Sequence, residues 1–321
     1  MVQYLAPRRA LAPVLDIGPW LDGSDKAGVA RALDRICREI GFFYLVGHGV
    51  PETLRQAVLA EAERFFAQPE ADKQALAVNA ARHGYEPIAA QTLDVDSPPD
   101  LKESLLLGAE LPEDHAYVRA GLPNYGRNQW PEEAQLPGFR TVCEAYFDAV
   151  SRVSESLMAV FARAAGLPED HFAPVLATPM ATLRLLHYPP QPARAQDNQL
   201  GCGAHTDWGS FTVLLQDETG GLEVQAAGGE WLYAPPMPGA FVVNLGDMMP
   251  VWTNGAYHSN AHRVLNRSPG RHRYSVPFFQ DLDYHTRIEC LPAFLDRGPP
   301  PEPRSAGRHF ELMYERSRTA M

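Results

Sequence analysis

From residue 181 onward the chain is a run of short apolar segments, each closed by Gly, Pro, Asn or Asp: "TLRLLHY", "SFTVLLQ", "GLEVQAA", "EWLYA", "AFVVNLG", "AHRVLN" and "RYSVPFF". Nothing else in the sequence constrains the fold so strongly. Segments this short cannot be helices that bury a face, and their regular punctuation predicts antiparallel strands in a sandwich or barrel. The Gly-Gly pair in "QAAGGEW" suits a hairpin turn.

The first half reads differently. Val29, Leu33, Ile36 and Ile40 recur at helical spacing, and Gly41 stands where a C-terminal cap would end that helix. "FFYLV" (42–46) is a continuous apolar run, which predicts a strand buried on both faces. A second helix is expected after Pro51, with Leu54, Val58 and Phe65 on one side. Residues 79–136, rich in Pro, Asn and Asp, read as loops, and a long helix is expected from Phe139 until Gly166. With 321 residues the chain can bury a large core, and its net charge of −11 without a Lys/Arg cluster argues against nucleic acid as a partner. No segment has membrane-span length, and the four cysteines form no close pair, so a cytoplasmic protein with reduced thiols is expected.

One motif carries chemistry. "GAHTDWGS" places His205 and Asp207 two apart. With 11 His and 18 Asp, roughly 0.6 such triplets are expected by chance, so the motif alone says little. On a strand, however, residues i and i+2 share a face, so the two side chains would converge. A third ligand must come from elsewhere, and "YHSNAHRV" offers His258 and His262. Two imidazoles and one carboxylate on one side of an octahedral ion leave three positions open, the arrangement of non-haem Fe(II) oxygenases. A closed zinc site would need a fourth donor, and Cys202, the only one nearby, is expected on the opposite strand face from His205. Beyond His262, Arg273 and Ser275 in "RYSVPFF" are again i and i+2 on one strand, a guanidinium and a hydroxyl suited to hold a carboxylate.

The ordered set of segments resembles the isopenicillin N synthase-like branch of the Fe(II)/2-oxoglutarate-dependent dioxygenases over nearly the whole chain. "GFFYLVGHGV", "HGYEP", "DLKESLLLG" and "NQWP" resemble its N-terminal region, and "LRLLHYPP", "GAHTDWGSFTVLLQD", "GGLEVQ", "VVNLGDMMPVWTNGAYHSNAHRV" and "RYSVPFF" its oxygenase core. The resemblance implies an α+β, mainly β fold: a double-stranded β-helix (jelly roll) over 181–285, a helical N-terminal region over 1–180 packed on it, and a C-terminal helical extension over 286–321. It implies that His205, Asp207 and His262 hold Fe(II), that Arg273, Ser275 and Tyr188 hold the cosubstrate 2-oxoglutarate, and that His258 is a bystander or a substrate-side residue. It also places Asn244 near the site, and Tyr85 and Lys102 in segments bordering its mouth. Leu186 and His187 stand where the family has polar or aromatic residues, which implies an unusual pocket wall.

The implied activity is oxidation by O2 of a C–H bond of a small molecule, with hydroxylation the default, coupled to decarboxylation of 2-oxoglutarate to succinate. An oxidase of the same fold that does without 2-oxoglutarate is the nearer alternative, and a non-catalytic metal-binding jelly roll the farther one. A monomer or weak homodimer is expected. Trp208, Phe211 and Trp231 read as core aromatics, and "RHFELMYERSRTAM" as an amphipathic helix packed on the barrel or covering its opening.

Overall fold

Strand alternation organises the molecule into an interior and an outer layer. In a computed structural model, which describes Ala10 and residues 13–94, 97–191, 199–265 and 270–318, the short segments form eight consecutive strands. They are β5 (Thr182–Tyr188), β6 (Cys202–His205), β7 (Phe211–Gln216), β8 (Leu222–Gln225), β9 (Trp231–Tyr233), β10 (Phe241–Leu245), β11 (His262–Val264) and β12 (Arg273–Gln280). Four of them, in the order β10-β7-β12-β5, lie in the larger sheet, and β6-β11-β8-β9 form the smaller one facing it. This is the double-stranded β-helix expected from the sequence. Residues 319–321, at the end of the expected C-terminal helix, lie outside the described residues.

The N-terminal half adds strands as well as helices. β1 (Val14–Asp16) and β2 (Phe42–Val46) extend the larger sheet beyond β10, while β3 (Gly84–Glu86) and β4 (Glu103–Gly108) extend it beyond β5. β3 and β4 correct the reading of 79–136 as loop. Glu103 and Ser104 open β4 with polar side chains that are nonetheless buried, Glu103 between Lys73 (2.6 Å) and His187 (2.7 Å). A composition-based reading sees such residues as solvated.

"FFYLV" is apolar throughout because both of its faces are filled. Phe43 and Leu45 join the core beneath the helices, and Phe42 and Tyr44 join the barrel interior. β5, β7, β10 and β12 follow the same rule: Leu183, Leu185, Val213, Val243, Val276 and Phe278 face the helices. The helices Lys26–Glu39 and Glu52–Phe66 pack on the long helix Phe139–Ala164, whose Val153, Leu157 and Phe161 close that layer. Gly41, at φ +65°, turns the chain from the first helix into β2, and a side chain there would strike the carbonyl of His258. The alternation also corrects one expectation: His187 points outward and stacks on Phe66 and Tyr274, while Leu186 alone faces the interior.

Truncating a wholly buried aromatic such as Phe161, stacked on Phe172, costs roughly 3–5 kcal/mol, so the helical layer is a large share of a typical domain's stability. Residues 181–285 expressed alone would lose that layer and expose both sheet edges now covered by β2 and β4. The fragment is predicted to be insoluble or molten, with no cooperative thermal transition by circular dichroism. A soluble fragment that unfolds cooperatively would contradict this packing.

Candidate metal centre and its two cavities

His205 ends β6 and His262 begins β11, and the two residues are direct antiparallel partners. Asp207 lies just past the strand end, in a turn fixed by the Asp247 N–H donating to its carbonyl at 2.8 Å. The simple strand picture for His205 and Asp207 is therefore corrected, although the side chains do converge. Nε2 of His205 and Nε2 of His262 each lie 3.7 Å from Oδ1 of Asp207, and the three donor atoms fall within 4.8 Å of one another. Two donors on one ion with bonds of about 2.1 Å can be at most about 4.2 Å apart, so both 3.7 Å separations are compatible with a shared metal. This is the one such cluster among the described residues. His258 is exposed and outside it.

A bulge corrects the placement of Cys202. Val264 pairs with Cys202 while His262 pairs with His205, so one strand spends an extra residue. The bulge turns Cys202 onto the same side as His205, with Sγ 3.7 Å from Nδ1. The thiol thus sits behind the imidazole, on the side away from Asp207. Nδ1 of His205 also lies 2.8 Å from the Gly203 carbonyl. Donation from Nδ1–H leaves the Nε2 lone pair directed at the cluster, the tautomer a metal ligand needs.

The carboxylate is fixed in the same way. Oδ2 of Asp207 accepts from Asn244 Nδ2 and from Thr212 Oγ1, each at 2.6 Å, leaving Oδ1 for the cluster. Burial opposes the Asp207 charge, but His262, His205 and these two donors bring its carboxyl below the ordinary value. Burial lowers His205, and it lowers His262 to about 4 with His205 adding to the effect. Near neutral pH the site is therefore two neutral imidazoles and one carboxylate.

Two cavities meet at His205 and Asp207, which line both. The first, about 560 Å³ with its mouth, holds Arg273, Ser275, Tyr188 and Lys102. Arg273 is 1 % exposed. Its Nε donates to the Gly220 carbonyl at 2.6 Å, Nη1 to Ser275 Oγ at 3.1 Å, and the guanidinium stands 4.7 Å from the Tyr188 ring. Yet no carboxylate among the described residues pairs with it. A buried, unpaired cation is costly, and an anion placed against it removes that cost. Lys102 is also buried, but its ammonium meets Asp100 at 2.6 Å and Cys202 Sγ at 3.2 Å. Burial opposes its charge, and the Cys202 and Asp100 neighbours hold it above the usual lysine value.

The second cavity, about 700 Å³ with its mouth, is walled by Trp208, Phe279, Phe310 and Tyr314, with Arg184 and Asp281 among its polar groups. Phe310 and Tyr314 come from the C-terminal helix Ala306–Arg318, which borders this opening, one of the two placements expected for it. Trp208 is thus a cavity wall rather than a core residue. Phe211 is core, Trp231 lies under the Arg263 guanidinium at 4.0 Å, and Tyr85 is buried with its hydroxyl on Glu103. Sequence reasoning missed Thr212, Arg184 and Asp281. Thr212 and Arg184 are polar residues on the inward phase of otherwise apolar strands, which was the available signal, whereas Asp281 lies one residue past the end of β12 and gave none.

With this geometry in hand, comparison with known proteins is informative. The model of the non-haem dioxygenase N-terminal region ("in morphine synthesis") matches residues 12–133, and that of the 2OG-Fe(II) oxygenase superfamily matches residues 179–281. The chain is 42% identical over 300 residues to the 2-oxoglutarate-Fe(II) type oxidoreductase hxnY of Emericella nidulans, covering 90% of this chain and 85% of that one. It is 34% identical to a homoarginine-6-hydroxylase of Glycine max, over 87% and 88% of the two chains. A full-length Neurospora crassa protein, solved in complex with alpha-KG and thymine, superposes with a TM-score of 0.84 at 26% identity, over 97% of this chain and 99% of that one. A 2OG-Fe(II) oxygenase family protein of Caulobacter crescentus superposes at 0.83 with 30% identity, over 97% and 99%.

The lowered histidines make a pH prediction. Because the folded state favours neutral imidazoles, protons compete for the site only as pH falls toward the lowered value of about 4 for His262. Affinity for Mn(II), followed by electron paramagnetic resonance, should stay level down to roughly pH 5.5 and fall below it. A midpoint near the ordinary histidine value of about 6.5 would contradict the burial argument.

Proposed function

The chain belongs to the 2OG-Fe(II) oxygenase superfamily and is a non-haem Fe(II)- and 2-oxoglutarate-dependent dioxygenase, and from this premise we propose that His205, Asp207 and His262 hold the iron while Arg273, Ser275 and Tyr188 hold 2-oxoglutarate. The observation that carries the assignment is the pairing of a three-donor cluster with a buried guanidinium that has no acid partner among the described residues, both lining one cavity. Iron, when bound, supplies O2 activation coupled to oxidative decarboxylation of 2-oxoglutarate to succinate and CO2, and oxidation of a substrate C–H bond.

The protein's own part is positional. Arg273 offers a planar fork to the far carboxylate of the cosubstrate, Ser275 adds a hydroxyl, and the Tyr188 ring backs the guanidinium. Thr212 and Asn244 hold one oxygen of Asp207 so that the other faces the histidines. A small-molecule substrate enters through the second cavity, where Trp208, Phe279 and Phe310 exclude water from the reacting bond. Hydroxylation is the proposed outcome. A monomer or weak homodimer in the cytoplasm is the proposed setting, and the four cysteines, none of them in a disulfide, support the cytoplasmic part.

Truncating Arg273 would leave a carboxylate without its bidentate partner, a change that typically costs about 2–5 kcal/mol. Arg273→Ala should therefore weaken 2-oxoglutarate binding roughly 30-fold or more, read from the visible band that forms on anaerobic titration of the Fe(II) protein. Arg273→Lys should recover part of this, and Ser275→Ala should lose less than either. Failure of the wild type to develop the band at millimolar 2-oxoglutarate, with iron bound, would favour the cosubstrate-free oxidase.

The ligand assignment has its own check. His262→Ala should lose iron and turnover, while His258→Ala should keep its iron by elemental analysis. The reverse pattern would make His258 the third ligand.

A further inference from the structure

Asp281 continues the alternation of β12. Arg273, Ser275, Pro277 and Phe279 enter the barrel in turn, and Asp281, next on that phase, enters the second cavity. Asp281 is 3 % exposed, and among the described residues its buried Oδ1 has no hydrogen-bond partner. Space for it depends on Gly209, where a Cβ would come within 2.6 Å of that oxygen. Burial, with the Asp207 charge adding, pushes the carboxyl up to about 7. A buried acceptor calls for a donor, and because this one lines a cavity a ligand can supply it.

The rest of the cavity limits what that ligand can be. Trp208, Phe279, Phe310 and Tyr314 offer ring faces and edges, with Phe310 and Tyr314 only 16° from parallel. Such walls fit a planar ring. Two guanidinium groups also line the space. Arg82 lies 3.9 Å over the Tyr314 ring. Arg184 is held through Nη2 by Glu86 at 2.6 Å, Gln91 at 2.8 Å and Ser104 at 2.8 Å, while its buried Nε has no hydrogen-bond partner among the described residues. These groups repel an ammonium, so the donor offered to Asp281 belongs to a neutral or anionic molecule.

We propose that Asp281 is a specificity-determining residue that accepts a hydrogen bond from an N–H or O–H group on a planar aromatic or heteroaromatic substrate whose carbonyl or carboxylate faces Arg184. The inference rests on the second cavity being the substrate side, as proposed above.

The test is calorimetry of the full-length Fe(II) protein with 2-oxoglutarate under anaerobic conditions. The probes are 2-pyridone against N-methyl-2-pyridone, 4-hydroxybenzoate against 4-methoxybenzoate, and benzylamine as a cationic ring. Leaving a buried acceptor without its hydrogen bond typically weakens binding about tenfold. At least one donor-bearing ring should bind the wild type about tenfold more tightly than its methylated partner, with benzylamine weaker still. Asp281→Leu should erase that difference. Asp281→Asn, which keeps an acceptor oxygen, should retain part of it. Both variants should develop the 2-oxoglutarate band as the wild type does, which shows that they fold. Discrimination that survives in Asp281→Leu, tighter binding of benzylamine, or no binding of any ring beside a normal band would overturn the proposal. Absence of the band from the wild type would instead overturn the cosubstrate reading on which it rests.

Discussion

The antiparallel pairing of His262 with His205 is the constraint on which the site depends. It comes from the hydrogen-bond ladder between β11 and β6, and the bulge in that ladder decides what stands beside the histidines. A register slip of one residue in β11 would turn His262 away from Asp207 and replace it with Arg263 or Ala261. Because β11 also pairs with β8 on its other side, through Val224, Glu223 and Leu222, the register is held from both edges. The Arg263–Glu223 ion pair at 2.8 Å adds a side-chain lock across that same ladder. Two imidazoles can therefore face one carboxylate without any long loop having to order itself.

The same alternation that builds the core divides the labour of the larger sheet. Along β12 the outward residues Val276 and Phe278 are packed under the helices, while the inward ones, from Arg273 to Phe279, line the cavities, with Asp281 just past the strand end. β5 runs alongside with Tyr188 paired to Arg273 and Thr182 and Arg184 toward the other cavity. Two strands thus span the barrel with the His205–Asp207–His262 cluster between its two cavities. Burying Arg273, Asp207 and Arg184 there is costly, and the helical layer on the outer face supplies apolar burial that offsets it. Site and scaffold are for that reason inseparable in this chain.

Much of this was legible in the sequence. The strands of the jelly roll stood out because their apolar phase is consistent, and the helices because Val29, Leu33 and Ile36, or Val153, Leu157 and Val160, recur at one face. Arg273 and Ser275 were readable as a pair because they share a strand phase. β4 was not, since Glu103 and Ser104 are buried by partners distant in sequence, Lys73, His187 and Arg184, which periodicity cannot anticipate. Cys202 was misplaced because a bulge is a tertiary feature of two strands. Asp281 was overlooked because a single acidic residue beyond a strand end reads as a solvated turn, and only the folded barrel shows it enclosed.

The central claim is that one ion sits where β6 and β11 meet, at the junction of the two cavities. Crystals grown anaerobically with Fe(II) and 2-oxoglutarate, with data collected at the iron absorption edge, test it most directly. The account predicts a single strong anomalous peak bonded to Nε2 of His205, Oδ1 of Asp207 and Nε2 of His262, with 2-oxoglutarate running from it toward Arg273. A peak held by other side chains, or 2-oxoglutarate lying in the cavity of Asp281 with Arg273 untouched, would contradict it.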